Sequence, residues 1–197
     1  MDGITPATVG RVPPPPAARD RVLDAFERLL VSRGERAATL EAVAREAGVS
    51  KGGLIYHFPS REAMIDGLLD RMRDRAGEDL AAMVAAPEGA VAYFLRTSQC
   101  AGTPFDRTLA AVTRLRSHAG VREALAAVQR QWFDAVLGDV GDETIAQMVM
   151  LMADGLYFNA SAPDALAGGA PQNPARIDEI VELVSALVRL RSGQSAG

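Results

Sequence analysis

An all-α fold follows from three observations. From Arg19 onward apolar residues recur at helical spacing, and no segment alternates convincingly with the period of two that marks a strand. Between Thr39 and Phe58 two short helical patterns meet at a glycine. Gly and Pro breaks then divide the rest of the chain into helix-sized pieces. At 197 residues the chain is long enough to bury a sizeable core.

Residues 1–16 read as a disordered arm, because Pro6 and the run Pro13–Pro16 favour polyproline II and block a helix. Arg19–Arg33 is an amphipathic helix, with Val22, Phe26, Leu29 and Leu30 on one side and Gly34 as its stop. Thr39 is placed to cap a second helix, whose apolar face is Leu40, Val43, Ala44 and Ala47. Gly48 suits the left-handed conformation that ends it, Val49 is an apolar plug, and Ser50 caps a third helix running to about His57. Ser60 caps a fourth, expected to reach about Asp74, with Met64, Ile65, Leu68, Leu69 and Met72 on one stripe. Breaks at Pro87–Gly89, Gly102–Pro104, Gly120, Gly138–Gly141 and Pro163–Pro174 delimit helices near 89–101, 104–117, 121–138, 142–160 and 175–191. The stretch SAPDALAGGAPQNPA reads as a mobile connector between the last two. The organisation is thus an arm at 1–16, a small helical domain at 17–77 with its central motif at about 39–58, and a larger helical domain at 78–197.

Two helices joined by a short Gly-containing turn are the sequence form of a helix-turn-helix, whose second helix enters the major groove of DNA. Lys51 opens that helix, where a cation reaches guanine O6/N7 or a phosphate. Gly52 and Gly53 each cost about 1 kcal/mol of helix propensity relative to Ala. Either the backbone approaches DNA closely there, or the first turn is loosely wound and tightens on binding. Ile55 can pack on a thymine methyl. Thr39 lies near a phosphate in such a motif, Arg45 points either to DNA or to solvent, and Arg61 follows the Ser60 cap, where free N–H groups suit a phosphate. Arg11 in the arm could reach a groove, against the plainer reading of a solvated tail. Residues 1–61 carry nine Arg/Lys and seven Asp/Glu, a net of +2, whereas residues 62–197 carry 12 and 18, a net of −6. A local basic face, not overall charge, has to carry any DNA contact.

The set GVSKG, then YHF, then PSRE, following an amphipathic helix, resembles the TetR (tetracycline-repressor-like) family of bacterial regulators over roughly residues 17–77. The resemblance implies DNA contacts at Tyr56 and His57 besides those above. Family members usually carry a threonine where Gly53 stands and Tyr-His-Tyr-Phe where this chain has Ile55-Tyr56-His57-Phe58, which puts direct readout at positions 53 and 55 in question. It also implies a homodimer whose last two helices per subunit form a four-helix bundle, and a repressor released from a palindromic operator by a ligand.

The apolar stripes of the last two helices supply the expected interface: Ile145, Val149 and Leu156, then Ile177, Val181, Val184, Leu187 and Val188. Monomer core is the alternative for both. The family's small-molecule pocket would be lined by Phe94, Ser98, Phe105, Thr113, Trp132, Phe133, Met148 and Met152, again with plain core as the alternative. The lining expected from these residues is apolar with few charges, for an apolar or aromatic effector.

Other classes find little support. With two His, one Cys, no HExxH, no nucleophile elbow and no phosphate loop, the chain offers no catalytic constellation, no metal site and no cofactor motif. An all-α enzyme without a recognisable site, or a helical protein-interaction scaffold, would leave the GVSKG…YHFPSR signature unexplained. No apolar run reaches the ~20 residues of a membrane span and no signal-peptide pattern opens the chain, so a cytoplasmic protein is expected, in keeping with the lone Cys100.

Overall fold

The computed structural model describes residues 18–99, 102–161 and 174–194. The regular elements among them are all helical. They are α1 (Ala18–Arg33), a 3-10 turn (Glu35–Ala37), α2 (Leu40–Ala47), α3 (Lys51–His57), α4 (Arg61–Val84), α5 (Ala90–Thr97), α6 (Pro104–Val112) continued by a 3-10 turn (Thr113–Leu115), α7 (Ala119–Val140), α8 (Glu143–Ser161) and α9 (Pro174–Gln194). The arm at 1–16, most of the connector between α8 and α9, and Cys100 lie outside the described residues.

The first domain folds as local chemistry dictates. Thr39 Oγ1 accepts from Ala42 N at 3.2 Å, Ser50 Oγ from Gly53 N at 3.0 Å and Ser60 Oγ from Ala63 N at 3.1 Å. Each cap satisfies a donor that the first helical turn leaves free. Gly48 ends α2 at φ 65°, where a side chain would be strained. Val22, Phe26, Leu29 and Leu30 of α1 close with Val43, Ala44, Leu54 and Phe58 into one buried core. Gly67 lets α4 cross this core, because a Cβ there would sit 2.6 Å from the Phe58 ring.

Helix α4 runs to Val84 rather than ending near Asp74. Gly77 interrupts the sequence pattern, yet Ala76 and Met83 are buried and hold the extra turns against the second domain. In that domain α7 packs on α4 and α8, while α5 lies against α7, α8 and α9. Helix α5 stops at Thr97, short of the expected 101, with the Ser98 hydroxyl turned back onto Phe94 O at 2.7 Å.

The domains are joined by more than α4, since α1 also packs on α6. A buried polar seam lies between them. Glu27 of α1 accepts from Thr108 Oγ1 at 2.6 Å and from Arg71 and Arg75, each at 3.3 Å. Arg71 also pairs with Asp24 at 2.6 Å and Asp20 at 3.0 Å, and Arg75 donates to Thr108 Oγ1 and to Pro104 O.

The stripes expected to form a subunit interface divide. Ile145, Val149, Leu156, Ile177 and Val184 are buried within this chain, and Val181 and Val188 are half-buried. They are core because α5 and α7 occupy that face, a long-range fact that helical periodicity does not contain. Of the expected set only Leu187 is exposed, as are the large apolar side chains Leu183 and Leu190 on α9 and Leu151 and Phe158 on α8.

Candidate nucleic-acid interface and internal cavity

Helices α2 and α3 present one polar face while Leu54 anchors α3 from behind. On that face Thr39, Arg45, Lys51, Gly52, Ile55 and Tyr56 are exposed, and Gly53 and His57 are half-buried. Tyr56 is 85% exposed, which a large ring does not adopt for packing's sake. Its ring meets His57 edge-on at 5.1 Å. Lys51 Nζ lies 2.8 Å from Glu41 Oε1 and holds that carboxyl below its usual range. The two exposed side chains thus pair across the turn in the free protein. No local sequence rule links positions 41 and 51, so sequence reading missed Glu41. A Cβ on Gly52 meets nothing within 4 Å, whereas one on Gly53 would lie 3.2 Å from the Ser50 cap oxygen.

Arg61 departs from the expected phosphate contact. Its guanidinium turns inward and donates to Ala38 O at 2.6 Å and Glu35 O at 3.1 Å, and it lies 3.5 Å from Glu35 Oε1. Position 61 opens a helix beside the loop after α1, and the Ala38 and Glu35 carbonyls of that loop claim the cation, the latter shared with Ala38 N. His118, at the start of α7, reaches the same Glu35 through Nε2 at 2.9 Å. His118 and Arg61 together hold the Glu35 carboxyl below its usual range, against the opposing effect of burial. This second link between the domains was not legible in the sequence.

A cavity of about 580 Å³ lies inside the second domain. Phe94, Ser98, Phe105, Thr113 and Trp132 line it as expected, and Phe133, Met148 and Met152 do not. The last three are half-buried side chains that pack against the core elsewhere. The lining is not the weakly charged one anticipated, because Glu78, Asp79, Asp106 and Asp154 reach it along with Arg75 and Arg116. Glu78 and Asp79 belong to the turns of α4 beyond Asp74, so a helix ended too early hid them.

Two family models match the chain. Residues 22–68 match bacterial regulatory proteins of the tetR family, and residues 88–189 match the tetracyclin repressor-like C-terminal domain. The HTH-type transcriptional regulator BetI of Rhizobium meliloti is 32% identical over 167 residues, covering 76% of this chain and 81% of BetI. The uncharacterized HTH-type transcriptional regulator Rv1255c of Mycobacterium tuberculosis is 27% identical over 148 residues, and the match covers 75% of this chain but only 64% of that protein. Among solved structures, the multidrug binding protein EbrR complexed with malachite green superposes with a TM-score of 0.65 at 20% identity, covering 86% of this chain and 98% of EbrR. A regulator from Saccharomonospora viridis in complex with choline gives a TM-score of 0.64 at 16% identity, covering 87% and 95%. The chain belongs to the TetR family of bacterial transcriptional regulators. Among the described residues no helix is long and apolar enough to cross a membrane.

Proposed function

We propose that the chain is a sequence-specific DNA-binding transcriptional regulator, cytoplasmic, that holds a palindromic operator as a homodimer and is released by a small molecule in the internal cavity. The observation that carries the reading is the α3 face. A Ser50-capped helix is anchored by buried Leu54 and offers Lys51, Ile55 and the 85%-exposed Tyr56 outward, with nothing in the fold requiring their exposure. Thr39, Arg45, Gly52, Gly53 and His57 complete the proposed contact surface, and Arg61 supports it from within. One helix-turn-helix reads only a half-site, which favours two subunits. The exposed row Leu183, Leu187 and Leu190 with Leu151 supports an apolar interface through α8 and α9.

Release needs a path from cavity to DNA, and α4 supports one. Its first turns frame the helix-turn-helix, and Arg75, Glu78, Asp79 and Ala82 near its other end line the cavity. The turn after α6 offers a parallel path, with Thr113 and Arg116 in the lining and His118 on Glu35. A ligand that favours one tilt of these elements changes the spacing of two recognition helices, and one that binds both tilts equally changes nothing. The solved neighbours bind malachite green and choline, which supports a small-molecule occupant here.

A gel-shift of sheared genomic duplex with the purified protein tests the reading. A few fragments should stay bound under excess competitor DNA and be released as salt rises. Uniform weak binding to every fragment would refute it.

A further inference from the structure

Among the acids that line the cavity, Asp106 is buried at the cap of α6, whereas Asp79 is the one held by two aromatic side chains. Its Oδ1 accepts from the Tyr93 hydroxyl at 3.1 Å and its Oδ2 from Trp132 Nε1 at 3.2 Å. Both donors are neutral, and among the described residues no Lys, Arg or His pairs with it. Burial pushes the Asp79 carboxyl above its ordinary value, its two donors oppose that, and Asp106 adds to it. Tyr93 is pushed up to about 12 by burial and by the Asp79 charge, so its hydroxyl stays a donor at neutral pH. The Asp79 carboxyl is thus oriented by two neutral donors and has no cationic side chain beside it among the described residues.

The walls around it have matching chemistry. Phe94 and Phe105 flank Trp132 at ring-centre distances of 5.5 Å and 5.9 Å, tilted 45° and edge-on at 68°. Aromatic faces attract cations, and more strongly where water is excluded. Of the remaining acids in the lining, Asp106 caps α6 through Thr103 N and Asp154 accepts from Gln129 at 3.4 Å, while Glu78 is exposed. Opposing them, Arg75 is already matched by Glu27, and Arg116 is exposed on the turn after α6. An anion entering this lining meets more carboxylates than free cations. At about 580 Å³ the space suits a drug-sized molecule and leaves room beyond a bare quaternary ammonium head.

We propose that the cavity takes an organic cation with an aromatic body, its charge set against Asp79 and its rings against Trp132, Phe94 and Phe105. This rests on reading the cavity as the effector site. The cation completes a charge that the folded chain leaves unmatched, and its binding strengthens as water leaves the aromatic corner.

The test uses the full chain and two probes of the same shape and opposite charge, tetraphenylphosphonium and tetraphenylborate, with binding measured by calorimetry. Phosphonium is expected to bind at least ~10-fold tighter than borate. Asp79→Asn, which keeps one acceptor and the side-chain shape, should weaken phosphonium about 10-fold and narrow the gap between the probes. Should that variant melt early, Glu78→Gln, a change at an exposed side chain, should still weaken phosphonium a few-fold and leave borate unchanged or stronger. Borate binding as tightly as phosphonium, neither probe binding at millimolar concentration, or a folded Asp79→Asn variant with unchanged phosphonium affinity would overturn the proposal. Release of an operator duplex is followed in parallel. Phosphonium that binds through Asp79 without releasing DNA upholds the cation site and removes the effector reading. Release by a neutral compound, indifferent to Asp79→Asn, does the reverse.

Discussion

The two domains of this chain are built under different rules. In the first, every helix from α2 to α4 begins at a Ser or Thr whose side chain caps it, and α2 ends at a left-handed glycine. Its helix ends are fixed by contacts a few residues apart, and its reading face is what remains when Val43, Ala44, Leu54 and Phe58 are buried. The second domain is fixed by contacts across 50 residues or more, such as Trp132 on Asp79 and Arg96 on Asp178. Its cavity belongs to no single element. The helix ends behind the proposed DNA face are encoded locally, whereas the cavity is encoded by how separate helices meet.

The largest expected effect lies at the join between the two. Arg71→Ala leaves Glu27 buried with one guanidinium fewer and Asp20 and Asp24 facing each other without it. It should lower stability by about 3–5 kcal/mol in urea unfolding. A loss below ~1 kcal/mol would mean that the domains hold together without the seam.

The second prediction separates core from surface within one helix of the larger domain. Val184→Asp places a charge in the subunit's own core and should cost roughly 3 kcal/mol or more of stability. Leu183→Asp with Leu187→Asp changes exposed positions and should leave the subunit folded but monomeric by sedimentation. A wild type that sediments as a monomer at micromolar concentration would remove the proposed interface.

The sequence made most of the smaller domain legible, because caps, the Gly48 turn and the apolar periods are local signals. It did not reveal that Arg61 turns inward, since the carbonyls it serves lie 23 and 26 residues back, at Ala38 and Glu35. In the larger domain the helices were legible and their partners were not. Ile145 and Val184 have the spacing of an interface, but only the placement of α5 and α7 makes them core. Two of the cavity's acids, Glu78 and Asp79, were lost for a simpler reason. Ending α4 near Asp74 ignored that no proline intervenes before Pro87, and that Ala76, Leu80 and Met83 continue the apolar stripe.

A smaller effect should appear at the reading face. Lys51→Ala should weaken operator binding and lower the salt slope by about one if the contact is a phosphate. Glu41→Gln should do the opposite and tighten binding a few-fold, because it frees Lys51 from its partner at 2.8 Å. If neither change alters affinity, slope or base preference, Lys51 does not touch DNA.

The smallest effect is at Gly53. Alanine there gains about 1 kcal/mol of helix propensity, but its Cβ would crowd the Ser50 cap oxygen at 3.2 Å. The net change in stability should therefore be under ~1 kcal/mol. The same change in a Ser50→Ala background should be clearly stabilising. Equal effects in both backgrounds would show that the cap and the glycine are independent. If the backbone at Gly53 approaches DNA, operator affinity falls in either background.

Selection of bound sequences from a randomised duplex pool with the purified protein tests the central reading most directly. The account predicts a two-fold symmetric consensus whose affinity falls steeply with salt, and its loss in the Leu183→Asp, Leu187→Asp variant. A pool that returns no consensus after repeated rounds, or a single asymmetric element bound equally well by that variant, would contradict it.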